Sequence, residues 1–232
     1  MKHFNYPPDN NKIFNWIKNN LYMKEMKRSQ PIDLRKSPLI PTEQFIIPEV
    51  YRDDLDSIMV PCGTIKSRVD RMAYEISHKY YSEEIIALCV LKGALKFYHD
   101  LFYNEHMWTP FEICTVRCKS YEGTESTGDV NFTGFNFNKV RDKKVIITED
   151  IYDTGRTLNK LLDKMNEFKP QSVEVACLLD KPERRLPGIE WQPDYTGFVI
   201  KNEFVVGYGL DFDKKYRGLK HIGVLKEEIY QD

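Results

Sequence analysis

Several features are missing from this sequence, and each absence narrows the reading. None of its five cysteines (Cys62, Cys89, Cys114, Cys118, Cys177) forms a CxxC pair. An odd count without that spacing argues against a disulfide framework and for free thiols in a reducing compartment. Cys114 and Cys118 lie too far from any other Cys or His to suggest a zinc site. The start, MKHFNYPPDNNKIFNWIKNN, has no continuous apolar stretch, which predicts neither a secretory leader nor a membrane span and leaves the cytoplasm as the expected location. Net charge is almost absent, with 34 Lys+Arg against 35 Asp+Glu, so nothing points to nucleic-acid binding over the whole surface. Neither GxxxxGK[ST] nor GxGxxG occurs in the chain, which excludes the commonest phosphate loops. Internal repeats and low-complexity segments are also missing.

What remains is a chain of 232 residues, 41% hydrophobic and 30% charged, suited to one large domain with or without an appendage. Charge is unevenly spread along it. Residues 1–40 carry eight Lys+Arg against three Asp+Glu, whereas the rest carries 26 against 32. Residues 1–48 read as a basic extension. Within it, FNWIKNNLYMKEM (14–26) has the pattern of a short amphipathic helix, and the following SQPIDLRKSPLIPTEQFIIPEV holds four prolines and reads as irregular.

From residue 49 to 232 the pattern alternates. Residues 65–81 have apolar residues at helical spacing. IIALCVL (85–91) is an apolar run of strand length, and 92–103 is helical again. FEICTVRCKSY (111–121) alternates like a strand, and KKVIITED (143–150) reads as a buried one. Thr157 to Phe168 is helical, and VEVACLLD (173–180) is a strand. TGFVI, FVVGYG and HIGVL are strand-like and end the chain with no clear helix. This rhythm predicts an α/β fold with a mostly parallel central sheet flanked by helices. Ligands of such sheets bind beyond the carboxyl ends of the strands.

The stretch ITEDIYDTGRT (147–157) carries the chemistry. It sets Glu149, Asp150 and Asp153 within five residues, between a buried strand and a helix. Like charges so close are costly unless they share a cation or hold vicinal hydroxyls, and a hard cation suits carboxylate oxygens. Asp153-Thr154-Gly155-Arg156-Thr157 opens the helix, where free N–H groups and the positive dipole end favour a phosphate. Thr154 and Thr157 add hydroxyl donors, and Gly155 allows close backbone approach. The same residues are also compatible with a capped helix start.

VIITEDIYDTGRT resembles the phosphoribosyl-diphosphate motif of type I phosphoribosyltransferases. LCVLKGALKF (88–97), VRCKSYEGTESTGDV (116–130), ACLLDKPERR (176–185) and NEFVVGYGLDFDKKYRGL (202–219) resemble, in order, further segments of the hypoxanthine-guanine phosphoribosyltransferases. The resemblance covers about residues 49–230. It implies the type I phosphoribosyltransferase fold, with a small hood built from terminal segments. It also implies purine salvage: the 5-phosphoribosyl group passes from phosphoribosyl diphosphate to N9 of hypoxanthine or guanine, giving IMP or GMP and pyrophosphate.

The implied roles follow position by position. Glu149 and Asp150 hold the ribose hydroxyls, with Ile151 and Tyr152 beside them, and Asp153 takes the N7 proton as general base. Thr154, Gly155, Arg156 and Thr157 wrap the 5′-phosphate. Lys92 and Gly93, after a costly non-proline cis peptide, meet the pyrophosphate together with Arg217. Lys119, Ser120 and Tyr121 belong to a closing loop. Lys181 contacts the purine 6-oxo group, next to Glu203; Phe204 lies on the base, and Val205 bonds it through its backbone. Asp211, with Glu149 and Asp150, holds Mg2+. A homodimer or homotetramer is implied, with small-molecule substrates and no nucleic acid or membrane. The rival is a catalytically silent nucleotide-binding relative, against which Asp153 speaks.

Five departures from the family pattern stand out, one of them a short stretch between the segments at 88–97 and 116–130. Ala94 replaces a usual glycine, and its methyl group is expected to disfavour the neighbouring turn. Gly218 replaces a usual acid, Arg156 a common lysine, and residues 1–48 match no part of the family's catalytic core.

Overall fold

The computed structural model describes residues 27–120 and 130–231. The expected helix at 14–26, and Tyr121 with the loop beyond it up to residue 129, fall outside them. In chain order the elements are β1 (Ile32–Asp33), β2 (Ile40–Pro41), α1 (Glu49–Arg52), β3 (Leu55–Val60), α2 (Cys62–Lys79), β4 (Ile85–Leu91), α3 (Leu95–Phe102), β5 (Phe111–Ser120), β6 (Val130–Thr133), β7 (Lys144–Tyr152), α4 (Arg156–Glu167), β8 (Ser172–Asp180), β9 (Tyr195–Val199), β10 (Val205–Val206), β11 (Ile222–Leu225) and α5 (Glu227–Tyr230).

The main sheet has seven strands in the order β1-β9-β8-β7-β4-β5-β6. All pairs are parallel except β5 with β6. Its central strands are apolar over most of their length because both faces are covered, and β7 turns acidic only at its carboxyl end. Ile85, Ala87 and Cys89 of β4 pack with Val69, Met72 and Ile76 of α2 and Phe97 and Leu101 of α3. Ile86, Leu88 and Val90 point the other way, to Leu158, Leu161 and Met165 of α4. The period-2 alternation of a strand therefore feeds two separate cores.

The chain leaves β4 toward β5 on one side and returns to β7 on the other. Strand order thus reverses at the β4–β7 crevice, where open sheets leave room for a ligand. Register brings the two ends together there, since Cys89 lies opposite Thr148.

Residues 27–48, on the extension side of the boundary expected at 48/49, contribute a strand to each of two sheets. Ile32 pairs with Phe198 at the edge of the main sheet. Ile40 pairs with Ile58 in a second, antiparallel sheet of order β10-β11-β3-β2. Just ahead of β1, Arg28 meets Glu174 at 2.6 Å and Asp194 at 3.3 Å, and lies 4.4 Å from the Tyr195 ring centroid. Ser29 is held by Glu75 and Arg68, at 3.0 and 2.6 Å.

All five cysteines are free thiols. Contrary to the strand-only reading of the terminus, a four-residue helix, α5, follows β11. Among the described residues no helix is long and apolar enough to cross a membrane.

Candidate active site

β4, β7 and the segment after β10 converge on one cavity of about 300 Å³. Lys92 and Gly93 line it from the end of β4. Glu149, Asp150, Ile151, Tyr152, Asp153, Thr154, Gly155 and Thr157 line it from β7 and its loop, and Asp211 and Arg217 close it from the other side. A larger cavity, about 530 Å³, lies against α2 and α3. Its Lys66–Asp70 and Lys96–Asp100 pairs satisfy each other, and it has no phosphate-type loop.

The peptide between Leu91 and Lys92 is cis. Gly93 then passes so close to Asp150 that a Cβ there would overlap Oδ2 and sit 2.6 Å from Cγ. Gly209, at φ +104, is packed equally tightly on the carbonyl group of Gly93. These two positions require glycine; Ala94 does not. Its φ of −67° and ψ of −9° are ordinary right-handed helical values, and its side chain is fully buried in the core above α3. The expected penalty of the alanine methyl therefore does not arise, because the tight spot is one residue earlier.

Glu149 and Asp150 are adjacent on β7, and one oxygen of Glu149 is buried without a hydrogen-bond partner. Asp150 accepts a hydrogen bond from the Ile151 N–H at 2.9 Å. Burial pushes both carboxyls up, the Glu149 group well above its usual range, and each is further affected by the other; Arg217 pulls Asp150 back down. Arg217 pairs with Asp211 at 2.6 Å and donates to the Gly209 carbonyl at 2.6 Å. Two crowded carboxylates with an orphaned oxygen fit a divalent cation, which would relieve both. Among the described residues no three His, Cys, Asp or Glu side chains form a ready metal cluster. Further oxygens would have to come from a diphosphate and water, as suits Mg2+.

Gly155, at φ +84, caps α4 from the left-handed region. The first bond of the helix runs from Asn159 N to Gly155 O at 3.0 Å. N–H groups ahead of it face an incoming anion. The Thr154 hydroxyl is 3.5 Å from the Arg156 N–H. The Arg156 side chain lies instead on a neighbouring groove beside Lys160 and Trp191. Asp153 pairs with Arg184 at 3.3 Å, both half-exposed, a contact worth little.

Lys181 is buried, and its N–H donates to the Tyr152 carbonyl at 3.1 Å. Burial lowers its pKa, while Asp153 and Glu203 oppose the shift. Phe204 does not line the cavity; its ring stacks on Tyr230 at 4.5 Å and meets Phe212 edge-on at 5.4 Å. Val205 is buried in β10 and pairs with Val224. Lys119 and Ser120 end β5, opposite Asn131 and Val130.

Two lining or supporting residues escaped the sequence reading. Cys118 lines the cavity, and burial together with Glu149 pushes its thiol up. Arg185 sits behind the loop. Both lie inside the quoted segments 116–130 and 176–185, but nothing in those segments gives either a role.

A parallel sheet with an acid pair and an anion-binding helix start at its crevice defines a class of sugar-phosphate transferase, and the comparisons agree. Residues 62–213 match the family described as the phosphoribosyl transferase domain. The chain is 38% identical over 191 residues to the hypoxanthine-guanine phosphoribosyltransferase of Rattus norvegicus, covering 79% of this chain and 87% of that one. The bovine protein of the same name gives 39% over the same coverage. A crystal structure of a hypoxanthine phosphoribosyltransferase from Staphylococcus aureus superposes with a TM-score of 0.73 at 34% identity, over 81% of this chain and all of that one. The chain belongs to the hypoxanthine-guanine phosphoribosyltransferase family.

Proposed function

We propose that this chain is a purine-salvage enzyme that moves the 5-phosphoribosyl group from phosphoribosyl diphosphate to N9 of hypoxanthine or guanine. The observation that carries this is the convergence of three separate segments, at 92–93, 149–157 and 211–217, on one crevice of the sheet. Each supplies a different part of what that substrate pair needs.

In this reading the open N–H groups at the start of α4, with Thr154 and Thr157, hold the 5′-phosphate. Glu149 and Asp150 hold the ribose hydroxyls. As the C1′–oxygen bond breaks, positive charge develops on the sugar and negative charge on the leaving pyrophosphate. Lys92, the Gly93 backbone and Arg217 face the pyrophosphate. Mg2+, held by Glu149 and Asp150 with Asp211 nearby, would neutralise diphosphate charge when bound. Asp153 accepts the N7 proton of the purine. Lys181 donates to the 6-oxo oxygen and so disfavours a 6-aminopurine, which offers a donor there. Glu203, Phe204 and Val205 belong to the purine side, Val205 within the small antiparallel sheet acting as a hood, and Phe204 would leave Tyr230 to lie on the base. The segment 120–130 serves to keep water out. The assembly is a cytoplasmic homodimer or homotetramer, with an N-terminal extension at 1–48, of which residues 27–48 pack onto the catalytic domain at 49–232.

The test is steady-state turnover with phosphoribosyl diphosphate, magnesium and each of hypoxanthine, guanine, xanthine and adenine. Hypoxanthine and guanine should react and adenine should not. Asp153→Asn should bind nucleotide but turn over roughly 10²–10⁴-fold more slowly. Tight nucleotide binding with no turnover in the wild type would favour the silent relative instead.

A further inference from the structure

The geometry points to Arg185 as the residue that positions the phosphate loop, acting from behind the site without touching substrate. The inference rests on the proposal above that residues 154–157 hold the 5′-phosphate.

Arg185 is the second arginine of KPERR, five residues past the end of β8. Its side chain is only 9% exposed. One terminal nitrogen donates to two successive carbonyls of the loop, Tyr152 O at 3.1 Å and Asp153 O at 2.7 Å. The other terminal nitrogen pairs with the buried carboxylate of Asp180. The guanidinium carbon sits over the Tyr152 ring, 3.2 Å from its centroid, and the Tyr152 hydroxyl is itself tied to the Trp191 carbonyl at 3.1 Å. The next residue continues the row, because Leu186 N–H donates to Thr154 O at 3.1 Å. Three consecutive loop carbonyls, 152 to 154, are thus drawn toward the 185–186 segment.

This matters because a peptide unit is planar and its C=O and N–H point in opposite directions. Drawing the carbonyls of 152–154 backward turns the N–H groups of 153–155 forward, toward the cavity. A phosphate site built on backbone donors depends on that orientation more than on any side chain. The Arg185 stem also fills the space behind Gly155, where an added Cβ would lie 3.2 Å from its Cδ. A lysine could keep the charge pairing with Asp180 but not serve a carboxylate and two carbonyls at once, since only the guanidinium fork presents donors in several fixed directions.

The test compares IMP with inosine, which differ only in the 5′-phosphate, by calorimetric titration of the full chain. In the wild type IMP should bind much more tightly, and that ratio reports the loop. In Arg185→Lys the ratio should shrink about tenfold, the worth of one charge-assisted hydrogen bond, with inosine affinity unchanged. KM for phosphoribosyl diphosphate should rise by the same factor, while KM for hypoxanthine stays put. If Arg185→Lys folds poorly, the pair Arg185→Met with Asp180→Leu removes both buried charges together and should show the same selective loss. An unchanged IMP/inosine ratio in a folded variant overturns the inference. So does an equal loss for both ligands, which would mean a general packing role. A wild type that does not prefer IMP over inosine removes the phosphate assignment itself, and is told apart because it needs no variant.

Discussion

Gly93→Ala perturbs the point where backbone and carboxylate are packed most tightly. The new methyl group would overlap Oδ2 of Asp150 and lie 2.6 Å from its Cγ. The backbone cannot retreat toward Gly209, which is packed against the Gly93 carbonyl. Asp150 must therefore rotate. That breaks its hydrogen bond from the Ile151 N–H, worth roughly 0.5–1.5 kcal/mol. Overpacking adds about 1–3 kcal/mol. Relief of the crowding between Glu149 and Asp150, both of which are pushed up by burial, offsets part of this. The variant should therefore fold, with a loss of about 1–3 kcal/mol by urea denaturation. Its activity should suffer far more, because a displacement of ~1 Å in a positioning group costs on the order of 100-fold. The assay is kcat/KM with phosphoribosyl diphosphate varied, alongside far-ultraviolet circular dichroism. A folded variant within threefold of wild type would refute the idea that Asp150 must stand where it does.

Three further outcomes follow from particular contacts. Ala94→Gly should leave the donor KM unchanged and cost about 1 kcal/mol of stability, from a lost buried methyl and added chain freedom, as read by the urea midpoint. His221 accepts from the Cys62 N–H at 3.1 Å, and burial lowers its pKa. The unfolded chain then binds the proton first, so this contribution is complete above the usual imidazole value of about 6.5 and is lost as pH falls below it. His221→Asn should abolish that part of the slope in urea midpoints measured between pH ~7.5 and ~5.5. A chain starting at Pro41 lacks β1, Arg28 and Ser29, and should melt several degrees lower, by ~4 °C or more; an unchanged melting temperature would show that residues 27–40 carry no stability.

How much could be read in advance differs from element to element. β4 lies where IIALCVL predicts it, at 85–91, and β8 begins one residue before VEVACLLD, because buried parallel strands announce themselves as unbroken apolar runs. α4 starts at Arg156 beside the expected Thr157, since Gly155 and the apolar spacing mark it. β1 and β2 are two residues each among prolines, and only partners far along the chain make them strands. In the candidate site, Lys92, Gly93, Glu149 to Gly155, Thr157, Asp211 and Arg217 came from the quoted motifs and line the cavity, whereas Arg156, Lys181 and Phe204 came from them and do not. Arg185 stood in the quoted segment 176–185 without a role, because what it does depends on carbonyls that sequence does not distinguish. Phe204 was legible as an aromatic but not its stacking on Tyr230, a residue near the end of the chain.

The pairing of the chain's two ends has a consequence for synthesis. Ile32 waits for Phe198, and Ile58 for Gly223, so β1 stays without its partner strand and β3 has only β2 beside it until residues 195–225 have been made. At ~5–20 residues per second that wait is on the order of ten seconds or more. During it Ile58, Met59 and Val60, all buried in the finished protein, are exposed on a nascent chain. The ribosome-bound intermediate thus has a defined sticky segment, and a chain cut before β11 would leave it uncovered for good.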